Sequence, residues 1–135
     1  MVHALRRAHR MLAADGLVVD LHPTAAESAI EVGAEVTGFV AAGDAIERHA
    51  AADSALAAVL ESGLFLVDQV AAFTFYTYAD TIEELREYIE ENWRDARLDD
   101  PTVARARKAL QRSPGARPRS RERVVVTTLR RAQMR

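Results

Sequence analysis

Fifteen consecutive residues, Leu64 to Tyr78, form the most β-prone stretch of the chain: Leu-Phe-Leu-Val-Asp-Gln-Val-Ala-Ala-Phe-Thr-Phe-Tyr-Thr-Tyr. Branched and aromatic side chains fit a pleated surface, and an ordinary strand runs only about five or six residues. So long a run demands a sheet to house it, and is expected to bend or bulge at its polar pair, Asp68-Gln69. At strand spacing Phe73 and Phe75 share one face and Tyr76 and Tyr78 the other. Half of these rings then belong to a core and half to a pocket or an interface, with Tyr76 and Tyr78 the pocket candidates; core packing is the commoner use of such rings.

A second strand is expected at Leu17-Val18-Val19-Asp20-Leu21, a nearly continuous apolar run without alternation, as in a strand covered on both faces of a parallel sheet. His22-Pro23 ends it. Ahead of it Val2, Leu5, Ala8, His9 and Leu12 recur at helical spacing, which predicts a helix over 2–14 stopped by Asp15-Gly16. The stretch from Ile30 to Ala41, rich in Val, Ile, Thr and Phe and broken at Gly33-Ala34, reads as a short hairpin or an irregular arm. Asp44 caps a second helix over 45–62, with Ile46, Ala50, Leu56, Val59 and Leu60 as its apolar stripe. Asp80 with Glu83 resembles a capping box opening a third helix, whose Ile82, Leu85, Ile89 and Trp93 fall on one face. Asp100-Pro101 opens a fourth that carries Val103, Ala106 and Leu110 inward. Residues 113–120, around Ser113-Pro114-Gly115-Ala116-Arg117-Pro118, read as a flexible basic linker, and a last strand is expected over 124–131. Helix, strand, arm, helix, long strand, two helices and a last strand make an α/β pattern, and 135 residues suit one domain.

Charge is distributed unevenly along the chain. Residues 15–100 hold 19 of the 20 acids against four arginines, while residues 101–135 hold eleven basic residues against Glu122 alone. A basic tail raises the question of nucleic acid, but no aromatic residue lies among these arginines to stack a base, which speaks against it. The simpler expectation is that the tail packs against the chain's own acidic half. The glutamates 83, 84, 87, 90 and 91 read in the same way as a solvated helix face rather than paired catalytic carboxylates.

Several chemistries are excluded by what the chain lacks. Without cysteine there is no disulfide, thiolate nucleophile or Cys-ligated metal. The histidines at 3, 9, 22 and 49 include no pair at i, i+3 or i, i+4, so no metal site is expected. No Gly-x-Ser-x-Gly, no Gly-x-x-x-x-Gly-Lys and no Gly-x-Gly occurs, which removes the usual anchors of hydrolases and nucleotide-binding loops. No apolar run is long enough to span a membrane, and the start of the chain carries no signal-peptide pattern, so a cytoplasmic location is expected. In open α/β sheets ligands bind beyond the carboxyl ends of the strands, which makes Asp20, His22 and Glu27 candidates by position. The plainer reading has Asp20 capping local backbone and His22 merely preceding Pro23.

The segment Ala4-Leu5-Arg6-Arg7-Ala8-His9-Arg10-Met11-Leu12-Ala13-Ala14-Asp15-Gly16-Leu17-Val18-Val19-Asp20-Leu21-His22-Pro23 resembles a stretch of the class I S-adenosylmethionine-dependent methyltransferases. There a helix ends in a Leu-x-Pro-Gly-Gly type turn and enters the fifth strand. The helix after Asp44, the strand at 64–78 and the closing strand resemble the last helix and the sixth and seventh strands of that fold. The resemblance implies a partial Rossmann-like sheet, with strands near 17–21, 64–78 and 124–131 and a helical insertion over 80–112. The family holds its cofactor with a Gly-rich turn after the first strand, an acidic residue ending the second, and contacts near the end of the fourth. None has a counterpart here, so the resemblance carries over no cofactor-binding residue, and it implies a C-terminal half that neither binds S-adenosylmethionine nor transfers methyl groups alone. Such a chain is expected to be a fragment or to work with a separate N-terminal half.

Three functional readings follow. The first is this methyltransferase-like half. The second is a small non-catalytic α/β dimerisation or regulatory module. The third, ranked last, is an enzyme with a pocket lined by His22, Tyr76 and Tyr78. A homodimer is expected through the strand edge at 17–21 or through the arm at 30–41, because an apolar strand without Lys or Pro inside it invites pairing.

Overall fold

The computed structural model describes residues 1–133. Its organising element is β5 (Pro118–Arg131), a strand of 14 residues. Along one side it pairs with β4 (Phe65–Tyr78), from Phe65 opposite Arg131 to Tyr78 opposite Arg119. On its other side two strands share its length. β1 (Leu17–Pro23) takes the second half, Leu17 opposite Arg130 to Pro23 opposite Val124. β2 (Ala29–Val32) takes the first half, Ala29 opposite Arg121 to Val32 opposite Pro118, and β3 (Glu35–Phe39) lies outside β2.

Every pairing in this mixed α/β fold is antiparallel. The parallel neighbour expected for residues 17–21 is not among the described residues, because β5 lies between β1 and β4, which run parallel to each other without touching. Cover on both faces of β1 is missing as well: Leu17, Val19 and Leu21 are exposed. Only Ser113–Arg117 lie between the last helix and the last strand, so the linker expected over 113–120 is cut short, and Pro118 and Ser120 are buried. The reason is register. Proline is tolerated as the first residue of a strand, and from there Arg119, Arg121 and Arg123 alternate with Ser120, Glu122 and Val124, a period-2 pattern that the arginine content disguised.

Local signals fared better where they concerned turns. β4 shifts register between Val67 and Gln69, the expected irregularity at Asp68. Val32 and Glu35 pair across the two-residue turn Gly33-Ala34, with Gly33 at φ 60°, the left-handed first turn position that glycine fills without steric cost. The arm is therefore a hairpin, and it is docked on its own β5. α1 (Val2–Met11) ends three residues before its expected limit at 14, α2 (Ala45–Glu61) lies where expected although Asp44 pairs with Arg48 rather than capping by its side chain, and α3 (Ile82–Asn92) and α4 (Asp100–Arg112) follow. The capping box of α3 is one residue later than expected. Thr81 Oγ1 accepts from the Glu84 N–H at 3.1 Å, and the Glu84 carboxylate accepts from the Asp80 N–H at 3.3 Å. Glu83 instead pairs with Arg107 of α4.

The helices cover the sheet diagonally. Side chains on neighbouring strands that face each other in register share a face, so Ile30, Ser120, Glu122, Val124, Leu17, Val19 and Leu21 lie on one side. α3 and α4 pack on the β2 end of that side, through Ile82, Leu85, Ile89, Val103 and Ala106 against Ile30 and Val32. Gly38 admits α4 closely: a Cβ there would come within 2.2 Å of the Thr102 hydroxyl. α1 and α2 pack on the opposite side at the other end, where Leu5, Val59, Phe65 and Leu129 form a second core. Two quarters of the sheet stay bare. One is apolar, with Leu17, Val19, Leu21, Phe73 and Phe75; the other, on the opposite face, carries Tyr76, Tyr78, Arg119 and Arg121. Phe73, Phe75, Tyr76 and Tyr78 are thus all exposed, against the expectation that half of them would be core.

Candidate functional site

Asp20 and His22 project from the same face of β1, as residues two apart in a strand must, and α2 packs over that face. His22 Nδ1 lies 2.7 Å from Asp20 Oδ2, and its Nε2 lies 2.6 Å from Asp53 Oδ1 of α2. Burial by itself lowers the pKa of the imidazole, but the hydrogen bonds to Asp53 and Asp20 and the two negative charges outweigh it, so the group sits above its ordinary value of 6.5. When the ring is protonated both of its nitrogens donate to carboxylates and neither keeps a free lone pair, so that in this form the cluster is a latch between β1 and α2. Asp53 lies 31 positions from His22, and no local sequence signal links them.

The latch couples stability to pH. A histidine with a raised folded pKa contributes stability that is full below about 6.5, the unfolded value, and is lost as the pH rises through the folded one. The thermal midpoint is expected to fall between about pH 6 and about pH 8 by more in the wild type than in His22→Gln. Parallel profiles for the two proteins would dismiss the latch.

Tyr76 and Tyr78 stand on the same sheet face as His22, but across β5 and opposite Arg121 and Arg119. They do not share a pocket with His22, so the three-residue pocket expected from sequence does not form. Around them Arg119 donates from Nε to Glu31 at 3.0 Å and from Nη1 to the Tyr78 hydroxyl at 3.0 Å, with its guanidinium 4.2 Å from the centre of the Tyr76 ring. Arg121 reaches the same Glu31 at 3.3 Å. Strand pairing thus brings aromatic rings among the arginines, which linear sequence had kept apart, yet Arg119 already lies on the rings and Glu31 already holds both guanidinium groups. Elsewhere the basic tail meets the acidic half as expected, with Arg112 on Glu35 at 2.9 Å and Arg117 on Asp80 at 3.2 Å. Exposed pairs of this kind are worth at most about 1 kcal/mol each.

A recess with a half-buried acid on its wall opens at the carboxyl end of β1. It encloses about 170 Å3 between Pro23 and Glu27, the first turns of α2 with Ile46 and His49, and Trp93 beyond α3, with Glu122 of β5 among its walls. Burial pushes the Glu122 carboxyl up from the ordinary carboxylate range, against the opposing pull of His49 and Ser28. Of these residues only Glu27 was a ligand candidate by its position in the sequence. Glu122 did carry a signal, as the single acid among the eleven basic residues of the tail. No helix among the described residues is long and apolar enough to cross a membrane. Compared with protein-family models, curated proteins and solved structures, the chain matches none.

Proposed function

We propose that this chain is the C-terminal half of a methyltransferase-like domain, inactive in methyl transfer without a partner that supplies the cofactor-binding half. The observation that carries the reading is β1. Leu17, Val19 and Leu21 are bare, and the strand pairs only with β5 among the described residues. In the resembled fold the corresponding strand lies inside the sheet, with the last strand on one side and a strand of the other half on its second edge. The position of β5 between β1 and β4, with α1 and α2 on one face, agrees with that arrangement.

The recess at the end of β1 is a poor fit for S-adenosylmethionine. The recess at the end of β1, about 170 Å3, falls below the ~300 Å3 at which pockets for drug-sized ligands begin. No glycine lines it to admit a close backbone, and Pro23 offers no N–H. Titration calorimetry of the isolated chain with S-adenosylmethionine is expected to give no saturable heat, and a low-micromolar dissociation constant would overturn the half-domain reading. The DNA upstream offers a second check. A Gly-x-Gly-bearing strand-turn-helix encoded in frame or in the neighbouring gene supports the proposal, and co-production with that segment is expected to create cofactor binding.

A non-catalytic dimerisation or regulatory module is the second reading. It is favoured by the polar clusters themselves, since His22 and Arg119 are fully engaged by partners within the chain.

A further inference from the structure

The recess at the end of β1 has a physical origin in strand pairing. On one side of β5 the partner changes from β1, which ends at Pro23 opposite Val124, to β2, which begins at Ala29 opposite Arg121. Glu122 falls in the gap, where residues 24–28 leave the sheet. A carboxyl is thereby set among apolar walls, with Trp93, Ile46 and Val40 around the same space. The nearby guanidinium groups are engaged elsewhere, Arg48 by Asp44 and Arg94 by Asp95. Ser28 and His49 on the same walls offset the burial of the Glu122 carboxyl only in part, and a ligand that brings it a further donor lowers the remaining cost.

We propose that this recess binds a small, mostly apolar molecule bearing one hydroxyl or amino group, whose O–H or N–H is accepted by Glu122 while its hydrocarbon body lies against Trp93 and Ile46. The volume sets the size. About 170 Å3 holds roughly six heavy atoms if each takes the ~30 Å3 that a water takes in the liquid, and the open mouth allows a little more. The walls set the rest: apolar surface from Trp93 and Ile46, polar side chains that include Glu122, Ser28, His49 and Glu27, and an aromatic face that suits either a hydrocarbon ring or an ammonium. This assignment is independent of methyl transfer, since it is read from the walls of the recess alone.

Trp93 is the only tryptophan of the chain and lines the recess, so its emission reports occupancy directly. The test uses three probes with the same six-membered ring: cyclohexanol, cyclohexylamine and cyclohexanone, titrated at about pH 8 to favour the ionised form of the carboxyl. An ionised carboxylate can only accept, so cyclohexanol or cyclohexylamine is expected to saturate the Trp93 signal at least about tenfold more tightly than the acceptor-only ketone. Preference for the amine over the alcohol assigns a cationic donor, and the reverse a neutral one; either supports the site. In Glu122→Gln, which keeps the shape but adds a donor, the preference is expected to shrink to within about threefold while the thermal midpoint does not fall. Equal binding of all three probes by the wild type, or no saturable change with any of them, overturns the proposal, and that comparison needs no variant to fold. A preference that survives in Glu122→Gln also overturns it. Since none of these readouts involves S-adenosylmethionine, their failure is distinct from failure of the methyltransferase reading.

Discussion

Leu85→Ala is expected to cost about 2–5 kcal/mol and to lower the thermal midpoint by roughly 10 °C or more, measured by calorimetry or circular dichroism. Leu85 is fully buried at the centre of the core that joins α3 and α4 to β2, with Ile82 and Ile89 on the same helix face and Ile30 and Val103 across from it. A methyl in place of an isobutyl group leaves a cavity that two short helices on a four-residue strand are poorly able to close. Trp93 is the instructive control. Helical spacing put it in the same stripe, and burial there would make Trp93→Ala as costly as the leucine change. In the structure it is the C-cap residue of α3, with extended backbone, and is only partly buried against that core at the edge of the recess. Trp93→Ala is therefore expected to cost clearly less than Leu85→Ala. Equal losses would mean that the helix continues and buries the indole.

Self-association is the second large effect expected. The bare apolar quarter of the sheet combines Leu17, Val19 and Leu21 of β1 with Phe73 and Phe75 of β4, across Val124 and Val126 of β5. Val19 is 62% exposed and Leu21 58%, high for branched side chains placed side by side on one sheet face. A contiguous patch of this kind rarely stays in water, and the unpaired edge of β1 adds a row of backbone groups that can pair with another strand. Of the two routes expected from sequence, the arm at 30–41 is used within its own chain, as β2 pairs with β5 and β3 with β2. That leaves the edge at 17–21. Light scattering at micromolar concentration is expected to give twice the mass of one chain, and Val19→Lys with Leu21→Lys to return it to the single-chain mass without lowering the melting midpoint, because both positions face solvent in the monomer. A wild type that scatters as one chain would refute the dimer.

Much of the fold was legible because it is encoded by near neighbours. The 3.6-residue spacing of Ile82, Leu85 and Ile89 sufficed for α3, Gly33 for the hairpin turn, and the polar pair at Asp68-Gln69 for the irregularity in β4. Boundaries were less secure where composition and periodicity disagreed. The arginines after Pro118 suggested a solvated linker, while their alternation with Ser120, Glu122 and Val124 was a strand pattern that proved decisive. The apolar run at 17–21 was correctly a strand, yet its lack of alternation implied a cover on both faces that the described residues do not supply.

The candidate sites divide along the same line. Asp20 and His22 were found from their place at a strand end, because position within an element is a local property. Their third partner, Asp53, was not, since it arrives from a helix packed over the strand. Tyr76 and Tyr78 were correctly set on one face, but their neighbours come from distant segments, Arg119 lying 41 positions from Tyr78 and Glu31 88 positions from Arg119. Sequence by itself determined the helices and, apart from residues 118–123 and the arm at 30–41, the strands, together with which side chains share a face and that the acidic and basic halves would meet. Only the tertiary structure decided that β5 would serve three strands, because strand register is settled by the joint burial of residues distant in sequence. From that choice follow the gap opposite Glu122, the recess beside it, and the bare quarter of the sheet at Leu17, Val19 and Leu21.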